Sequence, residues 1–192
     1  MAFKRRRTEP YSVVELYEYA LGALGRRMRT VAELKRLLRQ RLTATGEQGD
    51  IKIQVVIDKL KEQRYLNDTD YATAYSTLRR ENEKFGRRRV VAELKTKGVH
   101  SEIIEQTVTQ AFAGVDEEAQ ARQFLERKRI AKPSDQKQAA RVFRTMMRAG
   151  FETRVILQIL KHWEVDDDTL SALEGEAVDT ERQEREEREE SE

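Results

Sequence analysis

Cysteine is absent from the 192 residues of the chain, which excludes a disulfide framework, a thiol nucleophile and a thiolate metal site. Histidine is nearly absent: His100 stands at an expected turn and His162 near the end of an apolar helix, neither with a serine nucleophile at usable spacing. They read as an exposed turn residue and a partner for a helix C-terminal dipole. The nine glycines sit singly, and no Gly-rich loop precedes a Lys-Ser or Lys-Thr pair, so there is no phosphate cradle. Asp166, Asp167 and Asp168 are the one oxygen-rich run that a divalent ion would use, but such runs more often cap a following helix, here a short one over 169–173. The Met146-Met147 pair reads as core packing. Little is left to support an enzyme, and no cofactor or metal is expected. No stretch approaches the roughly 20 apolar residues of a bilayer span. Residues 1–10 lack the apolar core of a secretory signal, so a soluble, cytoplasmic chain is expected.

What is present is charge. Charged residues make up 38% of the chain, against about 25% in an ordinary globular protein. Apolar residues, also 38%, suit thin amphipathic helices better than one thick core, and the length allows one domain or a small array of modules. The net charge of +2 conceals an asymmetry. Residues 174–192 hold ten acidic residues against Arg182, Arg185 and Arg188, a local net of −7; with Glu164 and Asp166 to Asp168 this leaves +13 on residues 1–163. A basic body with an acidic tail points to a polyanion or an acidic protein surface as partner.

Helical periodicity recurs along the chain and strand-type alternation does not. Val13, Leu16, Tyr17, Ala20, Leu21 and Leu24 share one helix face, and Ser12 with Glu15 supplies a capping box. A second helix begins at Thr30, with Glu33 in the same capping relation, and a third carries Ile53, Val56, Ile57 and Leu60. Two further rounds of three follow. The first holds Tyr71 to Leu78, Val90 to Leu94 ending at Gly98, and Ile104 to Phe112 behind Ser101. The second holds Ala121 to Leu125, Val142 to Met147 ending at Gly150, and Ile156 to Trp163 capped by Thr153.

The rounds share residues as well as pattern. Val31-Ala32-Glu33-Leu34-Lys35 recurs as Val91-Ala92-Glu93-Leu94-Lys95, and Gly98-Val99 is echoed by Gly150-Phe151. The expected fold class is therefore all-α: three tandem three-helix repeats stacked into an elongated, curved body, because each is too small to bury its own apolar faces. The expected boundaries are a basic arm at 1–10, repeats at 11–66, 67–114 and 115–173, the last with a short terminal helix, and a disordered acidic tail at 174–192.

Basic clusters are the remaining candidates for function. Lys4 to Arg7 form the N-terminal arm, Arg26, Arg27 and Arg29 sit at the first helix joint, and Arg127 to Arg129 lie in the third round. The densest group is Arg79 and Arg80, Lys84, Arg87, Arg88 and Arg89, followed by Lys95 and Lys97. Arg87 to Arg89 fall in a helix's first turn, where cations oppose the macrodipole at a cost of about 0.3–1 kcal/mol. Retention of such residues suggests contact with an external anion.

The middle of the chain resembles the RecX family of bacterial RecA regulators. Tyr65, Leu66 and Asp68, then Tyr71-Ala72, Arg80, Gly86, Arg89, Val90, Glu93, Leu94, Lys97, Gly98 and Val99 match that family's central motif at its spacing. The resemblance covers about residues 15–163 and is most specific over 65–99. Arg64 stands where a Gly usually precedes the Tyr, Asn67 replaces an Asp, and Glu83-Lys84 replaces Lys-Gly. The resemblance implies a non-enzymatic, mainly negative regulator with an all-helical, three-repeat fold, and a monomer is expected. Such a protein lodges in the groove of the RecA–single-stranded DNA filament and restrains ATP hydrolysis, strand exchange and co-protease activity in recombination, DNA repair and the SOS response. Arg80, Lys84, Arg87, Arg88, Arg89, Lys95 and Lys97 are the expected contact residues for filament or DNA. The alternatives are a sequence-independent binder of single- or double-stranded DNA and a helical adaptor for another acidic partner. The acidic tail lies outside the resemblance; its charge makes association with the basic body an expectation.

Overall fold

A computed structural model describes residues 11–42 and 47–189. Among these there are ten α-helices and no strand, as the periodicity predicts. The chain divides into two compact units, Met1–Tyr75 with Glu93–Thr107, and Ser76–Ala92 with Val108–Glu192.

The first unit holds α1 (Val13–Leu24), α2 (Val31–Arg39) and α3 (Glu47–Glu62). Leu16, Ala20 and Ala23 of α1 meet Leu34 and Leu38 of α2 and Ile53, Val56, Ile57 and Leu60 of α3, all buried. Burial of each large aliphatic side chain contributes about 1.5–3 kcal/mol. The capping box at α1 is closed from both sides: the Ser12 N–H donates to Glu15 Oε2 at 2.9 Å, and the Glu15 N–H to Ser12 Oγ at 3.3 Å. At α2 only half of the expected box forms. Thr30 Oγ1 accepts the Glu33 N–H at 3.0 Å, while the Glu33 carboxylate turns to Lys97 Nζ at 3.2 Å and Asp68 Oδ1 accepts the Val31 N–H at 2.8 Å.

Three helices have residues in both units: α4 (Asp68–Glu81), α5 (Arg87–Thr96) and α6 (Ser101–Ala111). Within the first unit the C-terminus of α5 abuts the first turn of α2. The Thr30 hydroxyl donates to the Lys97 carbonyl at 2.7 Å. Gly98 lies so close that a Cβ there would fall 2.4 Å from Ala32 Cβ.

The second unit holds α7 (Glu117–Arg127), α8 (Gln136–Arg148), α9 (Thr153–His162) and α10 (Asp167–Glu189). Its core joins Phe124 and Leu125, Phe143 and Met146, Ile156 and Leu160, and Leu173. The joint seen in the first unit recurs here, between the N-terminus of α5 and the C-terminus of α8. The Gly86 N–H donates to the Ala149 carbonyl at 2.8 Å and the Arg88 N–H to the Gly150 carbonyl at 3.2 Å. Backbone meets backbone, and a Cβ on Gly86 would lie 2.2 Å from the Gly150 oxygen.

Two elements differ from the sequence reading. Thr153 is the first residue of α9 instead of its cap; Glu152 takes the cap position without a side-chain bond. The short terminal helix expected over 169–173 is longer, α10 running from Asp167 to Glu189. Leu173 and Ala177 are buried, one helical turn apart on a single stripe that α8 and α9 cover. Two apolar residues give too little periodicity to read from sequence; the packed neighbours supply the order.

Four non-glycine residues adopt left-handed backbone: Arg64, Lys84, Arg129 and Glu164, at φ of 60°, 57°, 53° and 61°. Three of them close helices with the six-to-one bond of a Schellman turn, as in Tyr65 N–H to Leu60 O at 2.9 Å. This conformation costs a residue with a Cβ roughly 1–2 kcal/mol. It is tolerated at exposed Arg64, where a side chain has room, but not at Gly98 or Gly150, where a Cβ would strike a neighbour. Arg64 and Lys84 are the two positions where the resembling motif carries glycine and this chain does not. We expect Arg64→Gly to stabilise the first unit by about 0.5–1 kcal/mol. All six tyrosines lie in that unit, so a urea midpoint from tyrosine emission reads the change directly; a midpoint at or below the parent's contradicts it.

Candidate functional site

Within the second unit the members of the basic group differ in burial and in what they hold. Arg80 is engaged: its guanidinium donates to the Ala111 carbonyl at the end of α6 and to Glu81 Oε1, and its side chain is 25% exposed. Arg89 is engaged as well. Its Nη1 donates to the Arg148 carbonyl at 3.2 Å and its guanidinium lies 3.9 Å from the centre of the Phe85 ring.

That contact corrects the macrodipole argument. The C-terminal carbonyls of α8 face the first turn of α5, so the cation at Arg89 meets partial negative charge there and stabilises the joint. Arg87 is exposed and donates to Thr109 Oγ1 at 3.1 Å. Arg88 is exposed, and Lys84 is half-buried on its left-handed turn. Arg127 pairs with Glu83 at 3.3 Å, and Lys128 and Arg129 are exposed.

In the first unit, Lys95 is exposed and Lys97 is engaged. Lys97 Nζ pairs with Glu33 and lies 5.2 Å from the centre of the Tyr75 ring, where the ring's negative face attracts it. Burial works to lower the Lys97 pKa, yet hydrogen bonds to Tyr71 and Glu33 outweigh it, and the pKa stands above the ordinary lysine value. Arg26 and Arg27 are exposed. The basic arm at 1–10 lies outside the described residues.

Asp68 at the same joint has its pKa raised, chiefly by burial and secondarily by Glu33, against the Val31 N–H and Lys61. A carboxyl whose folded pKa is raised favours folding when protonated. That contribution is full below the unfolded pKa and disappears as pH rises through the folded one. Asp68→Asn keeps the acceptor for Val31 without the buried charge. The variant is therefore expected to gain stability over the parent as pH rises from acid to neutral, and to match it at acid pH. Parallel stability curves for the two proteins would contradict this.

The aspartate run resolves as a cap. Asp166 accepts the Thr169 N–H and hydroxyl, both at 2.8 Å, and the backbone bond leads in holding its pKa low. Among the described residues no group of acidic or histidine side chains is arranged to hold a metal ion. No helix there is long and apolar enough to cross a membrane. His100 and His162 are both exposed.

A basic surface that the cluster reading missed lies on α8. Its sequence contains no acidic residue, and Lys137, Arg141, Arg144 and Arg148 recur at i, i+4, i+7 and i+11. All four are exposed, opposite the buried Ala139, Val142, Phe143 and Met146. The signal was in the sequence as a period, not as a run of adjacent cations. Arg144 is paired with Glu176 of α10 at 3.0 Å.

The family model for the second three-helix domain of RecX matches residues 67–108, the region of the Tyr65–Val99 motif. Regulatory protein RecX of Trichlorobacter lovleyi is 31% identical over 150 residues, covering 77% of this chain and 94% of the relative. That of Chromobacterium violaceum is 31% identical over 148 residues, covering 77% of this chain and 90% of its own length. For Geobacillus thermodenitrificans the identity is 29%, and the match spans 77% of this chain and 54% of a longer relative. The crystal structure of RecX from Lactobacillus salivarius superposes with a TM-score of 0.63 at 21% identity, covering 79% of this chain and 96% of that one. A second RecX crystal structure gives 0.65 at 20% identity, covering 78% and 73%. These solved neighbours share the all-helical fold.

Proposed function

We propose a function from one premise: the chain belongs to the RecX family. It acts on a RecA recombinase as a mainly negative regulator, in the cytoplasm and as a monomer. It lodges in the groove of the RecA–single-stranded DNA filament and restrains ATP hydrolysis, strand exchange and co-protease activity. It catalyses nothing itself. Three tandem repeats, at 11–66, 67–114 and 115–173, are part of the proposal. The observation that carries it is the 31% identity to a RecX protein along 94% of that relative's length.

Lys84, Arg87, Arg88 and Lys95, which stand at exposed or half-buried positions, are the members of the expected contact set that meet the partner. Arg80, Arg89 and Lys97 serve the reading differently, by holding the backbone that presents those four. Replacement of Arg87 and Arg88 by Ala is expected to weaken filament regulation with helicity unchanged. Adding Arg89→Ala would also loosen the α5–α8 joint.

The test is a titration of the protein into preformed RecA–single-stranded DNA filaments, following ATP hydrolysis, with a parallel binding curve on DNA alone. Loss of hydrolysis at protein levels too low to coat free DNA supports a filament regulator. Loss only at saturation of the DNA reduces the activity to occupancy of DNA, and unaffected hydrolysis removes the reading.

A further inference from the structure

We propose that the solvent face of α8 is a second, direct binding surface for a nucleic-acid phosphate backbone, partly occupied in the free protein by the acidic helix α10. The surface lies outside the contact set discussed above, and its assignment does not depend on RecA.

Lys137, Arg141, Arg144 and Arg148 lie on one side of the helix, spaced about 4.5–6 Å along its axis over about 17 Å. The phosphates of one strand advance about 3.4 Å each along a duplex axis, so one stripe meets several in succession. Three of the four are arginines, whose fork suits phosphate oxygens. With no acidic residue in α8, none of these charges is neutralised from within its own helix. All four sit on exposed positions whose substitution leaves the core stripe intact.

The chemistry favours nucleic acid over an acidic protein. Protein interfaces are built around apolar or aromatic centres. The large hydrophobic side chains exposed among the described residues are Val14, Met28, Ile51, Val55, Tyr65, Leu78 and Val178, none of them on α8. The same lack of an aromatic side chain on α8's solvent face removes base stacking, so binding here is independent of sequence and governed by salt.

The helix α10 supplies the internal competitor. Glu176 pairs with Arg144. Glu174 shares an open cleft of about 400 Å³ with Arg88, Arg154 and Glu152. The anchoring of α10 rests on few buried groups, chiefly Leu173 and Ala177, and both glutamates lie within that anchored stretch. The Glu176 carboxylate of the chain's own tail thus stands at Arg144, where a phosphate would come.

The experiment is fluorescence anisotropy of a labelled single-base, single-stranded oligonucleotide with the full chain across a salt series. One variant carries Lys137→Gln, Arg141→Gln and Arg148→Gln; a charge-matched control carries Arg26→Gln, Arg27→Gln and Lys61→Gln on exposed positions of the first unit. Glutamine is a good helix former, so circular dichroism should show unchanged helicity. Loss of three phosphate contacts is expected to lower affinity at least about tenfold and the salt slope by about 2, with the control changed far less. Glu176→Gln is expected to bind about two- to fivefold more tightly, as an exposed ion pair is released.

Equal losses in both triple variants would make the effect one of net charge and overturn the assignment, as would an unchanged α8 variant. If polyglutamate displaces the oligonucleotide as well as nucleic acid does, charge for charge, the surface faces an acidic protein instead. Failure of the RecX reading looks different: the parent protein binds the oligonucleotide through α8 and leaves RecA hydrolysis untouched.

Discussion

Replacing Gly150 with alanine is expected to cost the second unit about 2–5 kcal/mol, from roughly 1–2 kcal/mol for left-handed backbone and about 1–3 for overpacking. Gly150 stands at φ +89°, and a Cβ there would lie 2.3 Å from the Arg89 nitrogen and 2.6 Å from its Cβ. The obstructing atoms belong mainly to backbone, which cannot rotate away as the tip of a side chain can. The α5–α8 joint, with the bonds from Gly86 and Arg88 to Ala149 and Gly150, would have to open. Gly114 offers the control: its φ is +69°, and a Cβ there would meet nothing within 4 Å, so Gly114→Ala carries the conformational cost alone. Trp163 is the only tryptophan and lies in the second unit, so urea unfolding followed by its emission reads both variants. Equal midpoints for the two would show that the close approach carries no energy.

The second large effect is at Phe124. Truncation to alanine is expected to cost about 3–5 kcal/mol. Its ring is 3% exposed and sits between Phe85, at a centroid distance of 6.3 Å, and Phe151, at 5.5 Å, both in tilted arrangements. The Phe85 carbonyl is held by the Gln120 amide and its ring underlies the Arg89 guanidinium. Phe124 therefore supports the segment that presents Lys84, Arg87 and Arg88. The variant should lose tryptophan-detected stability, and it should lose anion binding at temperatures where helicity persists. Val178→Ala, on a side chain 60% exposed, should stay within about 0.5 kcal/mol of the parent. A cost at Phe124 no larger than that would mean that the three rings do not form a cooperative core.

The helices were legible because their causes are local. The spacing of Leu16, Ala20, Leu34, Leu38, Ile53 and Ile57 is a property of 3.6-residue periodicity, and the Ser12–Glu15 box needs only four consecutive residues. The repeat was legible too, since Gly98 and Gly150 are required at corresponding helix ends. The sequence alone also located the family motif, and it placed the engaged and the exposed cations together as one basic group.

Only the tertiary structure decided which of those cations the fold takes up. Arg80, Arg89 and Lys97 find their partners at Ala111, Arg148 and Glu33, residues 31, 59 and 64 positions away. The reach of a guanidinium across a helix joint leaves no mark in local spacing. The same holds for Glu33, drawn from its expected cap by Lys97, and for the first turns of α10, where Leu173 and Ala177 pack on α8 and α9. Periodicity encodes which face of a helix is buried; which charges the fold neutralises depends on where distant helix ends meet.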